Sequence, residues 1–130
     1  MKKILLIDDD PQVRNVIRVM LSKQGFQVIE SGDGKAAIRL LKTAPVDLVI
    51  TDILMPGKDG LDTIEELRAL RPGLIIMAIS GGGRYLDSTC CLDSAKMVGA
   101  DAILNKPVAM QRLLQTINDL FEAEIVVETV

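Results

Sequence analysis

Short apolar runs alternate with helix-like segments five times along the chain, and this alternation is the feature that most constrains the fold. Each run has few polar residues and is three to six residues long: Ile4–Ile7, Phe26–Ile29, Leu48–Ile50, Leu74–Ile79 and Ala102–Leu104. Such runs are typical of strands buried on both faces of a parallel sheet. The pattern predicts an α/β domain with a single doubly wound, five-stranded parallel sheet and five helices. The expected strand order is the flavodoxin-like order 2-1-3-4-5.

Capping residues and apolar residues at helical spacing mark the helices between these strands. Asp10 is a natural N-cap, Pro11 suits the first helical position, and Gly25 ends the first helix. The remaining boundaries are predicted at Pro45, at Pro72–Gly73, at Gly99 after a helix within Arg84–Val98, and near Phe121. Residues 1–121 are therefore predicted to form one domain. Residues 122–130 are predicted to be a C-terminal tail, an added edge strand or a truncated linker.

Composition narrows the classes of function. A net charge of −3 provides no basic patch, so we expect no direct nucleic-acid binding by this domain. The sequence contains neither a membrane-spanning run nor a signal-peptide pattern, which predicts a cytoplasmic protein without membrane contact. The chain has no His, and Cys90 and Cys91 are adjacent, a spacing that suits neither an ordinary disulfide nor a metal site. Carboxylates, a hydroxyl and a Lys must therefore carry any chemistry.

Polar side chains follow four of the predicted strands. Asp8 and Asp9 follow the first, Asp52 the third, Ser80 the fourth and Lys106 the fifth. The carboxyl ends of such strands share one edge of the sheet, where α/β proteins place their sites. Crowded carboxylates repel one another unless a cation lies between them, and oxygen ligands without His or Cys favour Mg²⁺. The set suits an aspartyl-phosphate site, with Lys106 and the groups around Ser80 holding phosphoryl oxygens.

Four segments together resemble a known family. Ile4–Pro11, Asp47–Gly57, Ala78–Gly81 and Gly99–Pro107 are similar, in this order and spacing, to the receiver domain of bacterial two-component response regulators. The resemblance runs from about Lys3 to Phe121. Each segment alone is a weak signal, but the four in series are highly specific.

The resemblance implies a phosphorylation-activated signalling receiver. Asp52 would accept a phosphoryl group from a sensor histidine kinase or a phosphotransfer protein. Asp9 and Asp52 would bind Mg²⁺ directly together with the Leu54 carbonyl, and Asp8 would act through water. Ser80 would turn toward the phosphoryl group and Lys106 would pair with it, which would switch an output surface for a downstream effector protein or domain. The chain would be an enzyme only in catalysing its own phosphorylation and dephosphorylation.

Three features depart from the family pattern. Ile103 stands where the family usually has its switch aromatic, so that signal is missing or carried by another residue. The interval from Ser80 to Lys106 is longer than usual, and the extra length falls in Gly81–Leu92. Leu54 and Gly82 occupy positions that tune hydrolysis of the phosphoryl group. Neither has a polar side chain to position water, which predicts slow to moderate self-dephosphorylation.

Two other classes of function compete with the receiver. A haloacid-dehalogenase-type phosphatase is suggested by Asp8 and Asp10 after the first strand, although Gln12 stands where that motif has Thr or Val, and substrate turnover would reveal it. A pseudo-receiver without phosphotransfer would fail to bind Mg²⁺. Whether the receiver stands alone or belongs to a larger regulator stays open from sequence.

Overall fold

A five-stranded parallel sheet forms the centre of the protein. The computed structural model describes residues 2–53, 60–80, 99–105 and 108–129. The strands are β1 (Lys3–Ile7), β2 (Gln27–Ser31), β3 (Leu48–Asp52), β4 (Ile75–Ser80) and β5 (Ala102–Asn105). They are paired in parallel in the order β2-β1-β3-β4-β5, which confirms the predicted flavodoxin-like topology.

Four helices are described: α1 (Pro11–Lys23), α2 (Gly34–Thr43), α3 (Gly60–Leu70) and α4 (Met110–Thr129). The additional helix predicted within Arg84–Val98 lies outside the described residues. None of the helices in the described ranges is long and apolar enough to cross a membrane.

The sheet is covered on both faces because successive residues of its buried strands point in opposite directions. Ile4 and Leu6 of β1 belong to a core cluster that also contains apolar residues of α1 and α4. Leu5 and Ile7 belong to a second cluster with residues of α2 and α3. The wholly apolar run in β1 therefore reflects burial on two sides, as its sequence predicts.

Local signals set the start and the end of α1. Asp10 accepts hydrogen bonds on Oδ1 from the backbone N–H groups of Gln12, at 2.9 Å, and Val13, at 3.5 Å. Pro11 is the first helical residue, and Gly25 follows the helix with a φ of +92°, where an L side chain would be strained. The predicted cap and stop of this helix are confirmed.

The last helix is longer than predicted. It continues past Phe121 to Thr129, so the added edge strand that we considered for residues 122–130 is wrong over 122–129. Phe121 is buried, and its ring lies 6.3 Å from that of Phe26. The helix propagates from this packed turn into a segment that contains no Gly or Pro.

Candidate functional site

Three carboxylates meet at the carboxyl edge of the sheet. Asp8 and Asp9 follow β1, and Asp52 is the last residue of β3, the strand next to β1. One oxygen from each carboxylate lies within 4.8 Å of the other two. Asp8 is 2% exposed and Asp52 is 4% exposed, whereas Asp9 is exposed to solvent. The predicted convergence of these three residues is confirmed.

Backbone and side-chain hydrogen bonds fix Asp8 from several sides. Its N–H donates to the Ser31 carbonyl of β2 at 3.1 Å. Its Oδ1 accepts a hydrogen bond from the Asp10 N–H at 2.9 Å, and its carbonyl oxygen accepts one from Arg14 Nη1 at 2.7 Å. The carboxylate is therefore held in place by the turn that leads into α1.

The sheet fixes Asp52 through its backbone. Asp52 is paired with Ile79 of β4, and the next residue, Ile53, donates its N–H to the Ile79 carbonyl at 2.9 Å. The hydroxyl of the fully buried Thr51 donates to the Asp52 carbonyl at 3.1 Å. Pairing therefore continues past the end of the strand, and the acidic side chain stands on a rigid support.

The electrostatics of the cluster favour a divalent cation. At 4.8 Å and an effective dielectric constant of about 20, two full negative charges repel by about 3.5 kcal/mol. Two of these carboxylates are almost inaccessible to water, which weakens their solvation. All the donors are hard carboxylate oxygens, the ligands that Mg²⁺ prefers. The residues at this edge therefore fit a magnesium site.

Asp10 does not join the cluster, because its side chain caps α1. The phosphatase hypothesis depended on Asp8 and Asp10 acting together, and the structure separates their roles.

The other predicted site residues are only partly described. Ser80 is the last residue of β4, and its backbone is paired with Asn105 of β5, but its side chain is outside the described part. Leu54, Lys106 and the Gly81–Leu92 segment also lie outside the described residues. Ile103 is half-buried in β5 and packs against the core cluster on the side of α2 and α3.

Sequence reasoning missed the contribution of Arg14. Its guanidinium reaches the carbonyl of Asp8 and also pairs with Glu30 of β2. Arg14 and Arg18 are four residues apart and therefore lie on one face of α1, and this spacing can be read from the sequence. The acceptors, however, lie just after β1 and on β2, so the sequence did not reveal what Arg14 contacts.

A parallel five-stranded sheet with an acidic cluster at its carboxyl edge defines the class of doubly wound proteins that carry their site at the strand ends. Comparison with known families assigns the chain more narrowly. The model of the response regulator receiver domain matches residues 4–118, so the chain belongs to the response regulator receiver family. Such receivers act in phosphorylation-dependent signalling in two-component systems, which is the functional class of this chain.

Individual relatives agree with this assignment. The transcriptional regulatory protein CpxR of Klebsiella pneumoniae is 38% identical over 117 residues. These residues are 90% of this chain and 48% of CpxR, so the chain spans about half the length of this relative.

Two solved structures are similar in fold and sequence. A response regulator receiver domain protein from Clostridium thermocellum has a TM-score of 0.87 and 27% identity, covering 98% of this chain and 99% of that one. The response regulator protein TrrA of Thermotoga maritima, solved in complex with Mg²⁺-BeF, has a TM-score of 0.78 and 27% identity, covering 92% of this chain and 99% of that one.

Proposed function

We propose that Asp52 accepts a phosphoryl group, in a reaction that depends on Mg²⁺, from the phosphohistidine of a sensor histidine kinase or phosphotransfer protein. The observation that carries this proposal is the cluster of Asp8, Asp9 and Asp52, in which the buried Asp52 lies beside two further carboxylates. Membership of the receiver family supports the same role.

Asp9 and Asp52 would hold Mg²⁺ directly together with the Leu54 carbonyl, and Asp8 would hold it through water. The bound ion would offset the charge of the acidic cluster and of the incoming phosphoryl oxygens. The complex of TrrA with Mg²⁺-BeF supports this assignment by similarity. The hydrogen bond from the Asp10 N–H to Asp8 Oδ1 keeps one oxygen of this carboxylate in position.

In the transfer step, one carboxylate oxygen of Asp52 forms a bond to phosphorus. The bond between phosphorus and the imidazole nitrogen breaks, and the imidazole keeps the electron pair. Lys106 and the Ser80 hydroxyl bind phosphoryl oxygens in the product. Water later attacks the acyl phosphate and releases inorganic phosphate, at a slow to moderate rate because Leu54 and Gly82 offer no polar side chain to position it.

The output is a change of surface that a downstream effector protein or domain recognises. Ser80 ends β4 and Lys106 follows β5 in the sequence, so movement of these residues toward the phosphoryl group would displace the segments after both strands. CpxR is named a transcriptional regulatory protein and is about twice as long as the matched region, which supports an attached or separate effector. Ile103 leaves this switch without the usual aromatic side chain.

Intact-mass spectrometry tests the proposal. The protein is incubated with Mg²⁺ and acetyl phosphate, and we expect one phosphoryl adduct that disappears with EDTA and in Asp52→Asn. Asp47→Asn is the matched control, because Asp47 precedes the opposite end of β3 and contacts the Lys3 N–H. An adduct that persists in Asp52→Asn would reject Asp52 as the acceptor. If wild type forms no adduct and binds no Mg²⁺, the chain is a pseudo-receiver.

A further inference from the structure

Arg14 connects the acidic cluster to the edge strand of the sheet. It lies one turn into α1, and its Nη1 donates a hydrogen bond to the Asp8 carbonyl at 2.7 Å. Its Nε lies 3.5 Å from Glu30 Oε1 on β2. The Arg14 side chain is largely buried, with 22% of its surface exposed.

The carbonyl that Arg14 contacts belongs to the peptide group joining Asp8 to Asp9. The backbone N–H of Asp8 is held by Ser31, as an extension of the pairing between β1 and β2. On the other side of the residue, the Asp8 carbonyl is held by the Arg14 side chain. Asp9 is exposed and follows this peptide directly, so the orientation of the peptide determines where its carboxylate lies.

Neighbouring residues hold Arg14 in this position. Glu30 forms two ion pairs, with Arg14 Nε at 3.5 Å and with Arg18 Nε at 3.3 Å. Gly32 leaves space for the guanidinium, because a Cβ at that position would lie 3.3 Å from Arg14 Nη1. An alanine there would crowd the contact with Asp8.

We propose that Arg14 is a positioning residue for the magnesium site, fixing the Asp8–Asp9 peptide so that both carboxylates face the ion together with Asp52. This inference rests on the proposed function. Residues that orient metal ligands without touching the ion typically contribute 10- to 100-fold to metal affinity. Because Arg14 acts through one hydrogen bond to the backbone, we expect a loss near the lower end of that range.

The charge of Arg14 acts in the opposite direction from its hydrogen bond. A guanidinium near the site repels Mg²⁺, so removing its charge alone would strengthen metal binding. Arg18 separates the two effects, because it pairs with the same Glu30 and bonds to Asn15, and it makes no described contact with Asp8. Arg18→Met therefore removes one positive charge beside Glu30 and leaves the hydrogen bond between Arg14 and the Asp8 carbonyl in place.

The test compares Mg²⁺ affinity, measured by isothermal titration calorimetry, in wild type, Arg14→Met, Arg14→Lys and Arg18→Met. We expect Arg14→Met to raise the Mg²⁺ dissociation constant about tenfold. Arg14→Lys, which keeps one donor and the charge, recovers part of that loss. Arg18→Met leaves the dissociation constant within about twofold of wild type, or lowers it slightly, since it removes a charge and the contacts with Glu30 and Asn15 but no bond to the Asp8 peptide. Circular dichroism confirms that each variant is folded.

Phosphorylation by acetyl phosphate gives a second readout. Saturating Mg²⁺ should restore the Asp52 adduct in Arg14→Met, whereas at limiting Mg²⁺ the adduct should form more slowly than in wild type.

Two results would overturn the proposal. An unchanged Mg²⁺ dissociation constant in a folded Arg14→Met would show that Arg14 only supports the fold, and so would an equal loss of affinity in Arg18→Met. Failure of the proposed function looks different, because wild type itself would then form no adduct on Asp52.

Discussion

Replacing Asp52 by Asn should stabilise the fold when no divalent cation is present. The carboxylates of Asp8 and Asp52 are both buried, and their oxygens lie within 4.8 Å of each other, which corresponds to a repulsion of about 3.5 kcal/mol. Asn has nearly the same shape and no charge. A neutral amide accepts weaker hydrogen bonds than a carboxylate, and hydrogen bonds to charged groups contribute about 1.5–3 kcal/mol. The net gain in the free energy of unfolding is therefore about 0.5–2 kcal/mol in EDTA.

Magnesium should reduce or abolish this advantage. Mg²⁺ at a concentration ten times its dissociation constant adds about 1.4 kcal/mol to the free energy of unfolding of wild type. Asp52→Asn lacks one direct ligand, so its stability should increase less. Thermal unfolding followed by circular dichroism, in EDTA and in Mg²⁺, measures both effects. Asp47→Asn removes a charge at the other end of β3 and should not respond to Mg²⁺ differently from wild type. The reasoning is refuted if Asp52→Asn is less stable than wild type in EDTA, or if Mg²⁺ stabilises both proteins equally.

Three further substitutions and one exposed control test how local contacts stabilise the fold, each by urea denaturation. Arg68→Met should lower the free energy of unfolding by about 2–3 kcal/mol, because the Arg68 guanidinium donates to three backbone carbonyls and to Asp101 Oδ2. The exposed Arg39→Met should change it by less than about 0.5 kcal/mol. Gly25→Ala should cost about 1–2 kcal/mol, because φ at this position is +92°. Asp10→Ala should cost about 1 kcal/mol by removing the cap of α1, and an unchanged unfolding midpoint would contradict that role.

The sheet and its order were predictable because the signals for them are local or topological. A run such as Ile4–Ile7 is apolar at every position. A strand needs this pattern only when both faces of its sheet are covered, because its side chains alternate between the two faces. Once the strands are parallel, their carboxyl ends share one edge, so the meeting of Asp8, Asp9 and Asp52 follows from the fold class. The cap at Asp10 was predictable for a similar reason, since it depends on neighbouring residues alone.

Contacts made by long polar side chains were not predictable in this way. Arg14 reaches the carbonyl of Asp8, just after β1, and a carboxylate of β2, and Arg68 reaches residues up to 33 positions away in the sequence. Periodicity places such a residue on a helix face, but the partner depends on how the helix packs. The extension of α4 was missed for another reason. Ile125, Val126 and Val127 are β-branched residues whose local propensity favours a strand. The helix nevertheless continues from the packed Phe121 through these residues.

The most direct test of the central claim locates the phosphoryl group on the chain. After reaction with acetyl phosphate and Mg²⁺, borohydride converts an aspartyl phosphate into homoserine, and tandem mass spectrometry identifies the converted position. The account predicts homoserine at position 52, and none when Mg²⁺ is omitted. Conversion at Asp8 or Asp9, or the same conversion without Mg²⁺, would contradict it.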